Sequence, residues 1–130
     1  MTLMLILLIA LSIAYAFAEA NIDAHIIGNH KPINHVKGFA RRASILTLIC
    51  YACMGCSVYF LTGAMIAAGA FGIVFRLTLN WMRGLPYDYI SSSNNYDRFW
   101  YSVAGTLGGE AAYAFESAVF IAGIVLTFYY

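Results

Sequence analysis

Residues 43–80 read ASILTLICYACMGCSVYFLTGAMIAAGAFGIVFRLTLN, and no charged side chain interrupts them before Arg76. A helix needs about 20 apolar residues to cross the hydrocarbon core of a bilayer. The run is too long for one crossing and predicts two. Thr62-Gly63 is the expected break, since it divides the run into two usable lengths and offers a glycine. The expected helices cover about 35–61 and 64–83. The second of them stops in Arg83-Gly84-Leu85-Pro86, a cation in the last turn followed by Gly and then Pro.

Toward the N-terminus lies a polar stretch holding His25, His30, Lys31, His35, Lys37, Arg41 and Arg42, with Gly28-Asn29 and Lys31-Pro32 as helix breakers. Ahead of it an apolar run predicts a helix over about 2–27. Its Ala16-Phe17-Ala18 resembles a signal-peptidase site, but the run lacks the positive segment that begins a secretory signal, so a retained helix is expected. Toward the C-terminus, residues 87–97 form a polar loop containing Ser91-Ser92-Ser93-Asn94-Asn95. A last helix is expected over about 98–129, and Phe128-Tyr129-Tyr130 reads as an interfacial anchor.

Composition agrees with this reading. Soluble domains carry about 25% charged residues, whereas this chain carries 10%, against 62% hydrophobic, with a mean hydropathy of +0.76. So short a chain cannot hide that much apolar surface in one core. The predicted fold is an all-α integral membrane protein, a four-helix transmembrane bundle in a single domain. A net charge of +1 offers no basic field for nucleic acid. The expected partners are the lipid bilayer and either further copies of the chain or other membrane subunits.

Two spans separate the two charged loops, which places both on one side. They carry Lys31, Lys37, Arg41, Arg42, Arg83 and Arg98, while the connection near Thr62-Gly63 carries no charge. The positive-inside rule predicts cytoplasmic loops with both termini opposite. Gly63, Ala67, Ala68, Gly69 and Gly72 on the third helix, and the G-x-x-x-G of Gly105 and Gly109 on the fourth, predict close helix packing.

Ionisable residues at membrane depth are costly and need partners or functions. Glu19, Arg76, Asn80, Arg83 and Glu110 form the expected intramembrane polar cluster, with Arg76 pairing to Glu19, Glu110 or both. Arg76, Asn80 and Arg83 share one helical stripe, which also suits lipid phosphate. Glu116 has no evident cationic partner in the sequence. Glu19 and Asp23 share a helical face, and with His35 they are candidate ligands for a divalent metal such as Zn, Mn or Fe(II). The competing reading is ordinary helix-end and loop composition, because the spacing matches no established metal motif. Cys50, Cys53 and Cys56 read as small packing residues and not as cluster ligands.

The pattern Arg76-x-x-x-Asn80-x-x-Arg83-Gly84-x-Pro86-x-x-Tyr89-Ile90, followed by Asp97 and preceded by Lys31-Pro32-Ile33-Asn34-His35, resembles small uncharacterised membrane proteins of bacteriophages and prophages. The resemblance covers about half the chain and implies a viral or prophage origin but no activity. It adds Asp97 to Glu19, Asp23, His35 and Asn80 as a polar cluster.

The function expected first is a structural or assembly subunit of a membrane complex or virion membrane. One alternative is a metal-dependent membrane enzyme acting on lipid-type substrates. The other is an ion- or proton-conducting pore built around Glu19, Arg76, Glu110 and Glu116.

Overall fold

The computed structural model describes residues 1–91 and 94–129. Ser92 and Ser93 of the polar loop, and Tyr130 of the expected anchor, lie outside the described residues. Those described form an all-helical chain of α1 (Thr2–Gly28), α2 (His35–Met54), α3 (Tyr59–Met82), α4 (Asn95–Ala104), a 3-10 turn (Gly105–Leu107) and α5 (Gly108–Tyr129).

Helix ends follow local chemistry. Beyond α1 the chain closes a Schellman pattern, in which His30 donates to the Ile27 carbonyl and Lys31 to that of Ile26. The left-handed position there is His30, at φ +54°, and Pro32 prevents continuation. Asn34 caps α2 by accepting the Lys37 amide at 2.9 Å. Beyond α3 the same closure recurs with Gly84 in the left-handed position, as Leu85 donates to Asn80 and Gly84 to Trp81. Asn94 caps α4 by accepting the Asp97 amide at 2.7 Å.

Two expected boundaries differ. The second helix ends at Met54 and not near residue 61, because Gly55 turns the chain at φ +64° and the Ser57 hydroxyl bonds back to the Met54 carbonyl at 2.8 Å. Thr62 and Gly63 are instead buried within the first turns of α3. The last helix is also not continuous. It starts at Asn95, breaks at Gly105 (φ +57°) and resumes at Gly108. Gly105 and Gly109 therefore do not form one helical seam. Gly109 lies against the Asp88 backbone, where a side chain would not fit.

α3 is the central element, packed on α1, α2 and α5. Tyr15 meets Phe71 with ring centroids 5.4 Å apart, and Leu8 sits beside Gly63, so α1 and α3 run parallel. α2 runs against both, with Cys50 donating to the Phe60 carbonyl at 3.3 Å at one end and Arg42 lying over the Phe75 ring at the other. α5 runs antiparallel to α3, joined by a 2.8 Å hydrogen bond from Thr127 to Thr62 and an ion pair between Glu116 and Arg76. Along this seam Gly69 meets the Glu116 carbonyl and Phe120, and Gly123 meets Ile66 and the Thr62 carbonyl, so small residues on each helix receive the other.

The bundle is polarised along its axis. Leu5, Leu8, Cys50, Cys53, Ile66 and Ala67 form an apolar core at the end holding the α2–α3 turn. Glu19, Asp23, Arg76, Asn80, Asp97 and Glu116 are buried toward the opposite end, where the segments 29–34 and 83–91 lie. The outer surface is apolar, with Leu3, Ile6, Phe17, Leu61, Ile121, Val125 and Phe128 all exposed. Three stretches, Thr2–Gly28, Tyr59–Met82 and Asn95–Tyr129, are long and apolar enough to cross a membrane, with hydropathies of 2.3, 1.8 and 1.8. α2 is not among them, and it carries Lys37, Arg41 and Arg42 in its first half.

Candidate functional site: two buried ionic clusters

The expected single polar cluster is two. The first joins α1 to α2. Glu19 and Asp23 lie one turn apart on the buried stripe of α1, and Arg41 and Arg42 reach them from α2. Glu19 Oε2 accepts Arg41 Nη2 at 2.6 Å and Arg42 Nε at 3.2 Å, while Arg42 Nη2 pairs with Asp23 Oδ2. Tyr15 donates to the other Glu19 oxygen at 3.1 Å. The Arg42 guanidinium lies 4.4 Å from the Phe75 ring centroid, and Phe75 stacks on Phe71 at 5.4 Å. Aromatic cover of this kind strengthens the pairing by excluding water and adding a cation–π contact. The Glu19 side chain is 3% exposed, while that of Arg41 is 47% exposed, so Arg42 is the inner partner.

The second cluster joins α3, α4 and α5. Arg76 Nη1 meets Asp97 Oδ1 at 3.1 Å, and Nη2 meets Glu116 Oε1 at 3.3 Å. Tyr96 donates to the same Glu116 oxygen at 3.0 Å. Asp97 Oδ2 accepts the Ser91 amide at 2.9 Å and Asn94 Nδ2 at 3.0 Å. The guanidinium lies 5.6 Å from the centroids of both Tyr96 and Tyr113. Arg76, Asp97 and Glu116 are 9%, 8% and 7% exposed. Arg76 Nε, Glu116 Oε2 and Trp100 Nε1 are buried and have no hydrogen-bond partner among the described residues.

Asn80 serves the loop. Its amide donates to the carbonyls of Tyr87 and Tyr89 at 2.9 and 3.0 Å, folding the segment 84–91 back over the bundle end. Tyr113 donates to the Tyr87 carbonyl at 2.8 Å. Arg83 lies over the Tyr89 ring at 5.6 Å. Glu110 is exposed and accepts the Tyr87 hydroxyl at 3.2 Å; that hydrogen bond pushes the Tyr87 phenol above its ordinary range.

No protein-family model, curated protein or solved structure matches this chain.

Several expected placements therefore change. Arg76 pairs with neither Glu19 nor Glu110. Starting α5 at Gly108 leaves Glu110 in the first turn, at the loop end, and brings Glu116 level with Arg76. Glu116 does have a cationic partner. Arg41 and Arg42, read as loop cations, are the partners of Glu19 and Asp23. The sequence carried a signal for this, since Asp23 and Arg42 stand almost equally far on either side of Pro32, as facing positions of a helical hairpin must. His35 is exposed at the start of α2, and the described residues contain no group of three or more His, Cys, Asp or Glu placed to hold a metal. Both carboxylates of the Glu19, Asp23 and His35 set face arginines instead. Cys50 and Cys53 are buried packing residues as expected, whereas Cys56 is exposed in the turn; all three are free thiols.

Proposed function

We propose that this chain is a multi-pass membrane protein, a four-helix transmembrane bundle serving as a structural subunit of a membrane assembly. The observation that carries this reading is the inside-out distribution of polarity. Charged groups are buried and paired at one end of the bundle, while large apolar side chains cover its exterior. Burying Glu19, Arg76 and Glu116 under an apolar exterior suits a protein solvated by lipid, where ionisable groups turn inward and pair. Arginine–carboxylate pairs between helices then serve as fixed ties. The opposite half packs as an apolar core around Leu8 and Ile66, which favours a scaffold over a pore.

Assembly is favoured by α2. It carries too many cations to meet lipid on every side, yet it leaves Val36, Phe39, Leu48 and Tyr51 exposed. Further copies of the chain or other membrane subunits are the partners we propose, in a virion membrane or an envelope complex, the setting that the phage resemblance implies. Both charged loops belong on the cytoplasmic side by the positive-inside rule, with the α2–α3 turn and both termini opposite. Mass measurement of the full chain in lipid nanodiscs and in mild detergent tests the assembly. A discrete oligomer, or a stoichiometric membrane partner, is expected. A stable monomer that brings no partner from native membranes would overturn it.

A further inference from the structure

The two clusters differ in charge. Glu19 and Asp23 face Arg41 and Arg42, so the α1–α2 cluster is neutral with every group ionised. Among the described residues Arg76 alone faces both Asp97 and Glu116, so the α3–α4–α5 cluster is one positive charge short. An uncompensated buried charge is expensive, and such a group neutralises before it stays charged. Two carboxylates sharing one site cannot both ionise cheaply.

We propose that the Arg76, Asp97 and Glu116 cluster is a proton-binding site whose two carboxylates carry one proton between them, held on Glu116. The hydrogen bonds assign its place. Asp97 uses both oxygens as acceptors, from Arg76 on one side and from Ser91 and Asn94 on the other, which is the pattern of an ionised carboxylate. Glu116 accepts from Arg76 and Tyr96 on Oε1 alone. Its Oε2 is buried without a partner among the described residues and is the oxygen on which a charge would be least supported.

The groups facing Glu116 come from both α-helices packed against α5, and the 3-10 turn that also packs there carries no titratable side chain. α3 supplies Arg76, and α4 supplies Tyr96 and Asp97; α5 itself supplies Tyr113, with Tyr87 and Asp88 of the loop beyond it. Arg76 is the one cation among them. Gly72 leaves room for the carboxyl, since a side chain there would meet it. The proton comes from a hydronium ion in the water at the loop end: one hydronium O–H bond breaks as the Oε2–H bond forms, and a neutral water is left behind. Its release sets two negative charges against one guanidinium and pushes Glu116 of α5 against Asp97 of α4, loosening the hold on α4. A metal cation is a poorer fit than a proton, because the site already holds Arg76 and the described residues offer no three-ligand group. The burial is supplied by α3, α4 and α5 themselves, so the site does not depend on membrane crossing or on assembly.

Infrared difference spectroscopy on the full chain in nanodiscs reads the proton directly. A protonated-carboxyl C=O stretch equivalent to one group per chain is expected at neutral pH, shifting in D2O. Glu116→Gln removes it, and Glu110→Gln, outside the cluster and exposed, leaves it intact. Asp97→Asn balances the cluster at one arginine and one carboxylate, so Glu116 ionises and the band is lost there too. A wild-type chain without the band overturns the proposal, whatever the variants do. So does a band that survives Glu116→Gln, one that persists in a folded Asp97→Asn protein, or one that appears only when sodium and potassium are removed.

Discussion

Gly72 and Glu116 face each other across the α3–α5 seam so closely that a Cβ on residue 72 would stand 2.8 Å from the Glu116 carboxyl carbon and 3.0 Å from Oε1. The glycine is thus part of the ionic cluster, although it carries no charge. Gly→Ala within a helix ordinarily stabilises by about 1 kcal/mol. Here the opposite sign is expected, because the carboxyl is held by Arg76 and Tyr96 and cannot swing aside freely. Gly69 makes the harder case, since its added Cβ would meet the Glu116 carbonyl at 2.7 Å and the Phe120 nitrogen at 2.9 Å, and backbone cannot yield. Gly72→Ala is expected to destabilise, and Gly69→Ala to destabilise more, within the roughly 1–3 kcal/mol of overpacked sites. Chemical unfolding in mixed micelles measures both.

The arginines of the first cluster should separate by burial. Arg42→Ala leaves Asp23 without its arginine and Glu19 with the half-exposed Arg41 as its remaining cation, beside the Tyr15 hydroxyl. A loss of about 1–3 kcal/mol is expected, the cost of a stranded buried acceptor. Arg41→Ala removes a solvent-screened partner and should cost under about 1 kcal/mol. Equal losses in the same unfolding assay would contradict the inner and outer assignment.

His30 holds a left-handed conformation that glycine adopts without penalty. Its side chain is exposed. His30→Gly should therefore raise stability by about 1 kcal/mol, measured as a higher midpoint with an unchanged slope.

The Tyr87–Glu110 hydrogen bond has a pH signature. Its phenol is raised above the ordinary value because the neutral hydroxyl donates to the carboxylate. The bond is therefore fully present below the ordinary phenol pKa and is lost as pH rises through the raised one. Glu110→Gln removes the cause, so the Tyr87 titration, isolated by difference against Tyr87→Phe, should fall back toward its ordinary value.

The architecture was legible in the sequence to the extent that apolar length and helix-stop chemistry determine it. The first helix, the Arg83-Gly84-Leu85-Pro86 stop and the hairpin order all follow from residues close together in the chain. The α2–α3 break lies at Gly55 and not at the expected Thr62-Gly63, because two glycines compete there. Gly55 turns the chain, while Gly63 is kept small for packing beside Cys50 and Leu8, and a local reading cannot tell these uses apart. The Gly105 break had a larger effect. Treating the last helix as continuous set Glu110 opposite Arg76 and left Glu116 stranded, whereas the break reverses their roles. Asp97 lies outside any apolar run, and its place in the cluster depends on the loop that Asn80 folds back.

Membrane crossing with the charged end inside is the claim on which the rest of the functional reading depends, and Cys56 tests it. The thiol is exposed in the turn at the charge-free end, while Cys50 and Cys53 are buried. In sealed, right-side-out vesicles, a membrane-impermeant maleimide is expected to label Cys56 from outside. A cysteine at the exposed Lys31 position, in a Cys56→Ser background, should stay protected until the vesicles are opened. Labelling of both sites from one side, or extraction of the chain from the vesicles by alkaline carbonate, would contradict the account.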